Sequence, residues 1–329
     1  MRAPRFWWRA PDRPGLLPRL LAPLGWLYAA ATARRLRQPG YAPRVPVICV
    51  GNLTAGGAGK TPTVIALIDR LSRRGHKVHV VSRGYGGSLE GPVRVEAARN
   101  TAAEVGDEPL LLSAFAPVWV ARDRAAGVRA AEAAGAQVIL MDDGFQNPSV
   151  KPAFSLVVVD AAKGFGNARC IPAGPLREPV AAGLARANLV LTIGDAAAQA
   201  QFGATWDRAV TLPRLTGALL PLKMGLDWKG ERLLAFAGIA DPARFFATLR
   251  AEGADLVRGE ALSDHEILSE TLLRRLEAEA AAAGAQLVTT EKDAARLPAH
   301  WRSKVLTLVV RLRIDDWSAL DAHLDRLGL

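Results

Sequence analysis

The chain has 329 residues, of which 50% are hydrophobic and 22% are charged. This composition is typical of a globular protein large enough for two domains, and it excludes a disordered chain. Two cysteines, Cys49 and Cys170, have no metal-binding spacing and form no disulfide framework, so a reducing, cytosolic environment fits best. The formal net charge is +10, which raises the question of a nucleic-acid partner.

The positive charge is concentrated at the N-terminus. Residues 1–44 contain nine arginines and one acid, so the rest of the chain is nearly neutral. A nucleic-acid-binding protein needs a basic stripe, commonly interleaved with aromatic residues, and the body of this chain has none. We therefore expect no nucleic-acid partner, and no feature of the sequence indicates an obligatory protein partner.

Residues 1–44 also form a basic amphipathic segment. Apolar residues recur at helical spacing and give a predicted helix one apolar face: Leu17, Leu20, Leu21, Leu24, Leu27, Tyr28 and Ala31. The rings of Trp7, Trp8 and Trp26 suit a lipid headgroup boundary. The apolar stretch is interrupted, for example by Arg19, and is too short to span a bilayer. We expect it to bind the surface of a membrane that contains anionic lipid; packing on the protein's own core is the alternative.

The segment Val45–Ile65 carries the motif on which the predicted function depends. Val45–Val50 predicts a strand buried on both faces, and Thr61–Ser72 predicts a helix. Between them lies TAGGAGKT, a glycine-rich loop followed by Lys-Thr, in the order of a phosphate-binding P-loop. The strict pattern has a glycine where this chain has Thr54. A glycine-rich helix cap with an unrelated lysine is the alternative.

The P-loop interpretation assigns a nucleotide site to one continuous segment. Its candidate residues are Thr54, Ala55, Gly56, Gly57, Ala58, Gly59, Lys60 and Thr61. Glycines let backbone N–H groups surround phosphate oxygens at the positive end of the helix that follows. Lys60 is expected to reach the β- and γ-phosphates, and the Thr61 hydroxyl is expected to bind Mg²⁺.

Further apolar runs predict the rest of the sheet. They are Lys77–Ser82, Pro117–Ala121, Gln137–Met141, Ser155–Asp160 and Leu189–Ile193. With the helical patterns between them, they predict an α/β fold with a mostly parallel sheet sandwiched by helices, as in P-loop NTPases. We expect a nucleotide-binding domain at residues 45–204, a linker at 205–232 and a smaller α/β domain at 233–329.

Polar residues follow the carboxyl ends of these strands, where ligands bind in open α/β sheets. Arg83 follows the second strand and can contact an anion. Asp142 and Asp143 follow Gln137–Met141, and adjacent carboxylates repel each other unless a cation offsets their charge. A carboxylate at such a strand end is how P-loop enzymes hold Mg²⁺. We predict that Asp142, Asp143 and Thr61 bind the metal; acids on the surface by chance are the alternative.

Other candidates have weaker local signals. Arg177 and Glu178 lie in a long loop rich in glycine and proline and are plausible substrate contacts. Asp107 precedes a leucine-rich helix, where an acid is equally consistent with helix initiation. His265 follows an aspartate near the predicted junction of the domains, although a lone histidine is more often structural.

Several blocks of sequence together resemble one family. In chain order they are VGNLTAGGAGKTP, SRGYGG, VGDEP, DDGFQ, PAGPLREP, AFAGIADPARFF, SDHEIL and TTEKD. They resemble the tetraacyldisaccharide 4'-kinases, which phosphorylate the lipid A disaccharide precursor at the inner membrane of Gram-negative bacteria. The resemblance implies ATP and Mg²⁺ as cofactors and the lipid A precursor as substrate. It also implies peripheral attachment to the cytoplasmic face of that membrane.

The resemblance also implies roles for individual residues. Asp107 and His265 resemble the family's catalytic pair, which activates the sugar hydroxyl. Lys60 would hold the ATP phosphates, Arg124 would stabilise charge on the phosphoryl group or the substrate, and Glu178 would lie on the substrate side.

One position departs from the family pattern. The family usually has histidine where this chain has Asn147, and asparagine cannot exchange a proton near neutral pH. We expect Asn147 and its neighbour Gln146 to make polar substrate contacts. A P-loop NTPase acting on a soluble metabolite or a metal-delivery partner is the alternative function, although it would not need the basic, apolar N-terminus.

Overall fold

The computed structural model describes residues 3–223, 225–264 and 266–329. Its strands are β1 (Val47–Gly51), β2 (Val78–Ser82), β3 (Val93–Arg94), β4 (Val118–Val120), β5 (Val138–Asp142), β6 (Phe154–Asp160), β7 (Leu189–Ile193), β8 (Arg214–Pro221), β9 (Arg232–Ala237), β10 (Asp255–Ala261), β11 (Gln286–Thr290), β12 (Val305–Leu308) and β13 (Val310–Ile314). Its α-helices are α1 (Leu16–Leu36), α2 (Lys60–Arg73), α3 (Ala102–Val105), α4 (Asp107–Leu112), α5 (Arg124–Ala133), α6 (Val180–Leu184), α7 (Ala196–Trp206), α8 (Pro242–Ala251), α9 (Glu270–Ala282), α10 (Glu291–Arg296) and α11 (Ser318–Arg326).

These elements form two sheets. The large sheet has nine strands in the order β13-β8-β7-β6-β1-β5-β2-β4-β3, and the small sheet has four in the order β10-β9-β11-β12. In the large sheet, β1 pairs in parallel with β5 and β6, and all three are almost entirely buried. Such strands need apolar side chains on both faces, which is why their sequences are continuous apolar runs.

Helices cover both faces of the large sheet. One core layer includes apolar residues of α2 and α11, and the other includes residues of α5, α6 and α7. The expected sandwich of a mostly parallel sheet between helices is therefore present. Because β1 lies between β5 and β6, the loop that follows β1 opens at the centre of the sheet, where open α/β folds bind ligands.

Two expected boundaries are wrong. Residues 205–232 are not simply a linker, because Arg214–Pro221 forms β8, which pairs with β7 and with β13. The chain also returns to the large sheet after the small one, since β13 and the buried leucines of α11 belong to the large unit. The small unit therefore consists of β9 to β12 with α8, α9 and α10. These pairings join distant segments, and the Gly- and Pro-containing sequence of β8 resembles a loop when considered alone.

Helix α1 confirms the predicted N-terminal helix but packs in an unusual way. Its buried residues are Pro18, Ala22, Gly25 and Thr32, whereas its large apolar side chains are exposed: Leu16, Leu17, Leu20, Leu24, Trp26, Leu27 and Tyr28. A helix of a soluble protein normally buries its large apolar residues. The alternative of packing on the protein therefore holds for the small residues, while membrane binding by the exposed large ones remains a prediction.

The three N-terminal tryptophans have different environments. The Trp7 indole Nε1 donates a hydrogen bond to the Pro172 carbonyl (3.0 Å), and the Trp8 ring lies against the Lys163 ammonium. Trp26, in contrast, is 70% exposed. Trp7 and Trp8 thus also attach the segment before α1 to the protein. Among the described residues, no helix has the length and apolarity needed to cross a bilayer.

The close approach of α1 to the protein generates a first prediction. A Cβ atom at Gly25 would lie 2.9 Å from the Cys170 carbonyl oxygen, so Gly25→Leu should push α1 away at a cost of about 1–3 kcal/mol. Thermal unfolding and tryptic cleavage within α1 would measure this effect. Ala30→Leu adds the same side chain at an exposed position of α1 and should leave both unchanged; equal behaviour of the two variants would contradict the packing described.

Candidate active site

A cleft of about 960 Å³ lies between the loop after β1 and the small unit. It brings together most of the residues predicted from sequence: Gly56, Gly57, Ala58, Gly59, Lys60, Thr61, Arg83, Arg124, Asp142, Asp143, Gln146, Asn147 and Arg177. From the small unit it is lined by Asp241, Arg244 and Lys292, among others. Loop and strand-end residues from distant parts of the sequence therefore share one cavity.

The glycine-rich loop has a conformation that its glycines make possible. Gly56 and Gly59 have φ angles of 112° and 91°, and a Cβ at Gly59 would lie 2.6 Å from Ile193 Cδ1. Helix α2 begins directly after Gly59, and no side chain of the described residues caps its N-terminus. Its first N–H groups and the positive end of its dipole are therefore available to a phosphate group.

Asn52, to which sequence reasoning assigned no role, holds this loop in place. Its fully buried amide donates hydrogen bonds to the carbonyls of Thr54 (2.8 Å) and Gly56 (3.1 Å). Its Oδ1 accepts a hydrogen bond from Lys60 Nζ at 3.3 Å. The signal in the sequence was a polar residue directly after an apolar strand and before the glycines. One asparagine thus fixes both the loop and its lysine.

Thr54 and Ala55 lie at the base of the loop and do not line the cleft. The Ala55 N–H donates to the Pro175 carbonyl (2.7 Å), and Thr54 forms a bridge with Leu176. These two residues attach the loop to the segment that carries Arg177. Their predicted contact with a nucleotide remains a prediction, and a supporting role fits their position.

Asp142 and Asp143 lie at the end of β5 and face the loop. Burial, and then the charge of Asp143, raise the pKa of Asp142 to about 6. Ser82 Oγ donates a hydrogen bond to Asp142 Oδ2 at 3.3 Å. Burial also acts to raise the pKa of Asp143, but the charges of Lys60 and Arg177 outweigh it and the net pKa is lowered. The nitrogens of these two cations lie 3.5 Å and 3.0 Å from Asp143 Oδ1.

The donor set suits a magnesium ion. Two adjacent carboxylates and the Thr61 hydroxyl offer oxygen ligands only, and the repulsion between the carboxylates favours a bound cation. The described residues contain no group of three or more His, Cys, Asp and Glu side chains arranged for a metal. A metal bound here would therefore complete its shell with water and phosphate oxygens, as Mg²⁺ commonly does.

Arg124 is buried beneath the cleft floor and joins two strand ends. Its Nη1 donates to the Val81 carbonyl (3.2 Å) and its Nη2 to the Asp142 carbonyl (3.0 Å). Burial lowers the pKa of Arg124, although the charges of Asp142 and Asp143 oppose this effect. The guanidinium thus holds β2 and β5 together while placing positive charge beside the carboxylates.

Glu178 has a structural environment, and its predicted role on the substrate side remains a prediction. It is 2% exposed and does not line the cleft. Arg186 Nη2 contacts both of its carboxylate oxygens at 2.7 Å, and Gln146 Nε2 donates to it at 3.0 Å. A buried carboxylate is stable only when it is paired in this way. Glu178 therefore orients Gln146, whose Oε1 accepts a hydrogen bond from Arg177 at 3.2 Å.

Asp107 is the first residue of α4, is buried and lies behind the cleft rather than in its lining. Its Oδ2 lies 3.6 Å from Nε of Arg296, a residue of the small unit that sequence reasoning did not select. The adjacent Glu108 lines the cleft and accepts a hydrogen bond from Lys292 Nζ at 2.9 Å. His265 lies outside the described residues, so its pairing with Asp107 remains a prediction.

Helix α1 also contributes to the cleft, which was not expected. Tyr28 and Arg35 line it together with Asn147 and Arg177. They are seven positions apart, which places them on the same face of a helix. The N-terminal helix is therefore one wall of the cleft as well as an exposed apolar surface.

The opposite pKa shifts of the two adjacent aspartates generate a second prediction. In the metal-free protein, the folded pKa of Asp142 is raised from 3.8 to about 6. The folded state therefore binds more protons between these values, and stability falls as pH rises through that window. Asp142→Asn should raise the melting temperature at about pH 8, and this gain should shrink by about pH 5.

Asp143→Asn is the matched control for this measurement. Lys60 and Arg177 stabilise the charged form of Asp143, so this substitution should lower the melting temperature at neutral pH. A lower melting temperature for Asp142→Asn at about pH 8 would contradict the burial cost assigned to that carboxylate.

Three comparisons with known proteins agree. A family model for tetraacyldisaccharide-1-P 4'-kinase, LpxK, matches residues 17–328. The tetraacyldisaccharide 4'-kinase of Dinoroseobacter shibae is 64% identical over 329 residues, covering 99% of this chain and 98% of that protein. The protein of the same name from Jannaschia sp. is 57% identical over 328 residues and covers 99% of both.

The fold also matches a solved structure. The crystal structure of LpxK from Aquifex aeolicus in complex with ATP superposes with a TM-score of 0.76, covering 95% of this chain and 100% of that one at 24% identity. This likeness confirms the predicted α/β fold. Together with the matching family model and the relatives, it leads to one conclusion: the chain belongs to the tetraacyldisaccharide 4'-kinase family.

Proposed function

We propose that this protein transfers the γ-phosphate of ATP to the 4'-hydroxyl of a tetraacyldisaccharide 1-phosphate, the precursor of lipid A. The observation that carries the proposal is the cleft in which Lys60 and Thr61 face Asp142 and Asp143. Full-length relatives that are named for this reaction support it. The activity is that of a phosphotransferase with an alcohol group as acceptor.

The phosphate loop positions the nucleotide. Backbone N–H groups at the start of α2 receive the phosphates, and Lys60, held by Asn52, offsets their charge. Thr61, Asp142 and Asp143 would hold Mg²⁺, which would neutralise charge on the β- and γ-phosphate oxygens. In phosphoryl transfer the protein mainly positions the reactants and stabilises charge, and this set of residues is suited to both tasks.

The acceptor needs a base and a cation near the transferred group. Asp107 accepts the proton of the 4'-hydroxyl, a step that typically contributes about 10²–10⁴-fold to the rate. His265 assists Asp107, as the family resemblance implies. Arg124 lines the cleft, and its positive charge would offset charge on the transferred phosphoryl group.

Two arginines are available for the 1-phosphate of the substrate. Within the described residues, Arg35 and Arg83 line the cleft without forming an ion pair with any side chain there, whereas Arg177 pairs with Asp143. An unpaired guanidinium suits an incoming phosphate. Gln146 and Asn147 line the same cleft and supply polar contacts to the sugars.

Helix α1 brings the cleft to the lipid. Its exposed leucines and Trp26 enter the interfacial region of the bilayer, and its arginines attract anionic lipid at about 1 kcal/mol each. Since α1 also forms a wall of the cleft, the acyl chains can remain in the bilayer while the headgroup enters the site. The protein then acts as a peripheral enzyme on the cytoplasmic face of the inner membrane, where ATP is supplied.

The alternative of a soluble substrate is less well supported. An NTPase that acts on a soluble metabolite has no use for seven large apolar side chains exposed on one helix. A tetraacylated substrate accounts for them.

Loss of label transfer in Lys60→Ala is the third prediction, and the experiment also tests the proposed function. Wild-type protein, ATP labelled at the γ-phosphate, Mg²⁺ and the disaccharide 1-phosphate in detergent micelles should give lipid labelled at the 4' position. Lys60→Ala removes the positive charge that offsets the negative charge of the transferred group, and it should lower the rate at least about 100-fold. Labelled inorganic phosphate without labelled lipid from the wild type would favour the soluble-substrate alternative.

The fourth prediction concerns the membrane. Replacing Leu20, Leu24 and Leu27 by serine should remove most binding to anionic vesicles in co-sedimentation, because three exposed side chains lose their apolar contact with lipid. The control variant has serine in place of Leu220, Leu226 and Val257, which are exposed outside α1. It should bind the vesicles as the wild type does. Equal binding by both variants would contradict the assignment of α1 as the lipid-binding surface.

A further inference from the structure

Two consecutive acids of α4 face two cations of α10. Glu108 pairs with Lys292 at 2.9 Å, and Asp107 lies 3.6 Å from Arg296. Lys292 and Arg296 are four residues apart, which places them on one face of α10. Helix α4 belongs to the large unit and α10 to the small one, so this double contact crosses the boundary between the units.

Arg296 is fixed firmly on the small-unit side. Its Nη1 donates to the Glu266 carbonyl (2.9 Å), and its Nη2 donates to the Gly238 carbonyl (3.3 Å) and to the Asp293 carboxylate. Asp293 is itself fully buried and accepts hydrogen bonds from the Gly238 N–H (3.1 Å) and the Thr290 hydroxyl (2.8 Å). The small unit therefore determines the position of the guanidinium.

The remaining nitrogen of this guanidinium faces the large unit. Arg296 Nε is buried and has no hydrogen-bond partner among the residues described, while Asp107 Oδ2 lies 3.6 Å from it. The two side chains are only 8% and 9% exposed. Charges interact strongly in such a poorly solvated environment, and a buried carboxylate is costly without a nearby cation.

We infer that Arg296 is a positioning residue for phosphoryl transfer, which orients the Asp107 carboxylate when α10 contacts α4. The inference rests on the proposed function, in which Asp107 accepts the proton of the sugar hydroxyl. Asp107 belongs to the large unit, but its orientation then depends on Arg296 of the small unit. Proton transfer is therefore efficient only when α10 contacts α4. Arg296 acts through Asp107 and does not touch the reacting atoms.

A double-mutant cycle tests this inference and is the fifth prediction. Arg296→Gln should lower kcat about 10–100-fold in the lipid-labelling assay, within the range expected of general-base catalysis. KM for ATP and for lipid should stay within about threefold of the wild-type values, since Arg296→Gln removes no proposed contact with ATP or with lipid. Arg296→Lys retains the charge and should recover part of kcat. In an Asp107→Asn background, Arg296→Gln should change kcat by less than about twofold, because the two residues act as one unit.

Several results would overturn the inference. They are an equal loss in both backgrounds, a loss confined to KM, or wild-type kcat in Arg296→Gln. Arg302→Gln is the matched control and should be fully active, because it removes an exposed arginine of the small unit whose Nε donates to the Leu297 carbonyl. If thermal unfolding shows that Arg296→Gln is not folded, the same cycle is measured with Arg296→Lys, for which a smaller effect is expected. A wild-type protein that labels no lipid would overturn the proposed function as well. If the wild type labels lipid, any of the three results above overturns the inference alone.

Discussion

The repulsion between Asp142 and Asp143 is the constraint around which the cleft is built. Both carboxylates lie at the end of a buried strand at the centre of the large sheet. Lys60 and Arg177 offset the charge of Asp143, while Asp142 retains a raised pKa. A fold selected only for stability would not place two acids there. The free-energy cost of burying these two carboxylates side by side is understandable if a cation and a nucleotide bind between them and the phosphate loop.

The supporting residues around this pair form a connected set. Asn52 fixes the loop and Lys60, and Gln146 donates to the Asn52 carbonyl at 2.9 Å. Glu178 and Arg186 then hold Gln146 in place. Each buried polar group in this set is satisfied by another, which gives the site one defined arrangement. The lipid side of the cleft differs, because Arg35 and Tyr28 come from a helix whose outer face is exposed and apolar.

Sequence reasoning succeeded where the signal was local. Val45–Val50 and Gln137–Met141 carry short apolar runs typical of buried strands, and the glycines before Lys60 have a backbone requirement that the φ angle of Gly59 bears out. It failed at β8, because the pairing of Arg214–Pro221 with a strand almost a hundred residues later cannot be read from either segment. The same limit applies to the hydrogen bonds of Glu178, whose carboxylate accepts from Arg186 and from Gln146 of another loop.

The account divides the active site between two units: phosphates bind to the loop of the large sheet, and Asp107, held against the small unit, activates the acceptor. Measuring Mg²⁺-ATP binding and single-turnover phosphate transfer on the same Asp107→Asn preparation tests this division most directly. The account predicts ATP affinity within about threefold of the wild type and a transfer rate at least about 100-fold lower. Transfer at nearly the wild-type rate, or loss of ATP binding, would contradict it.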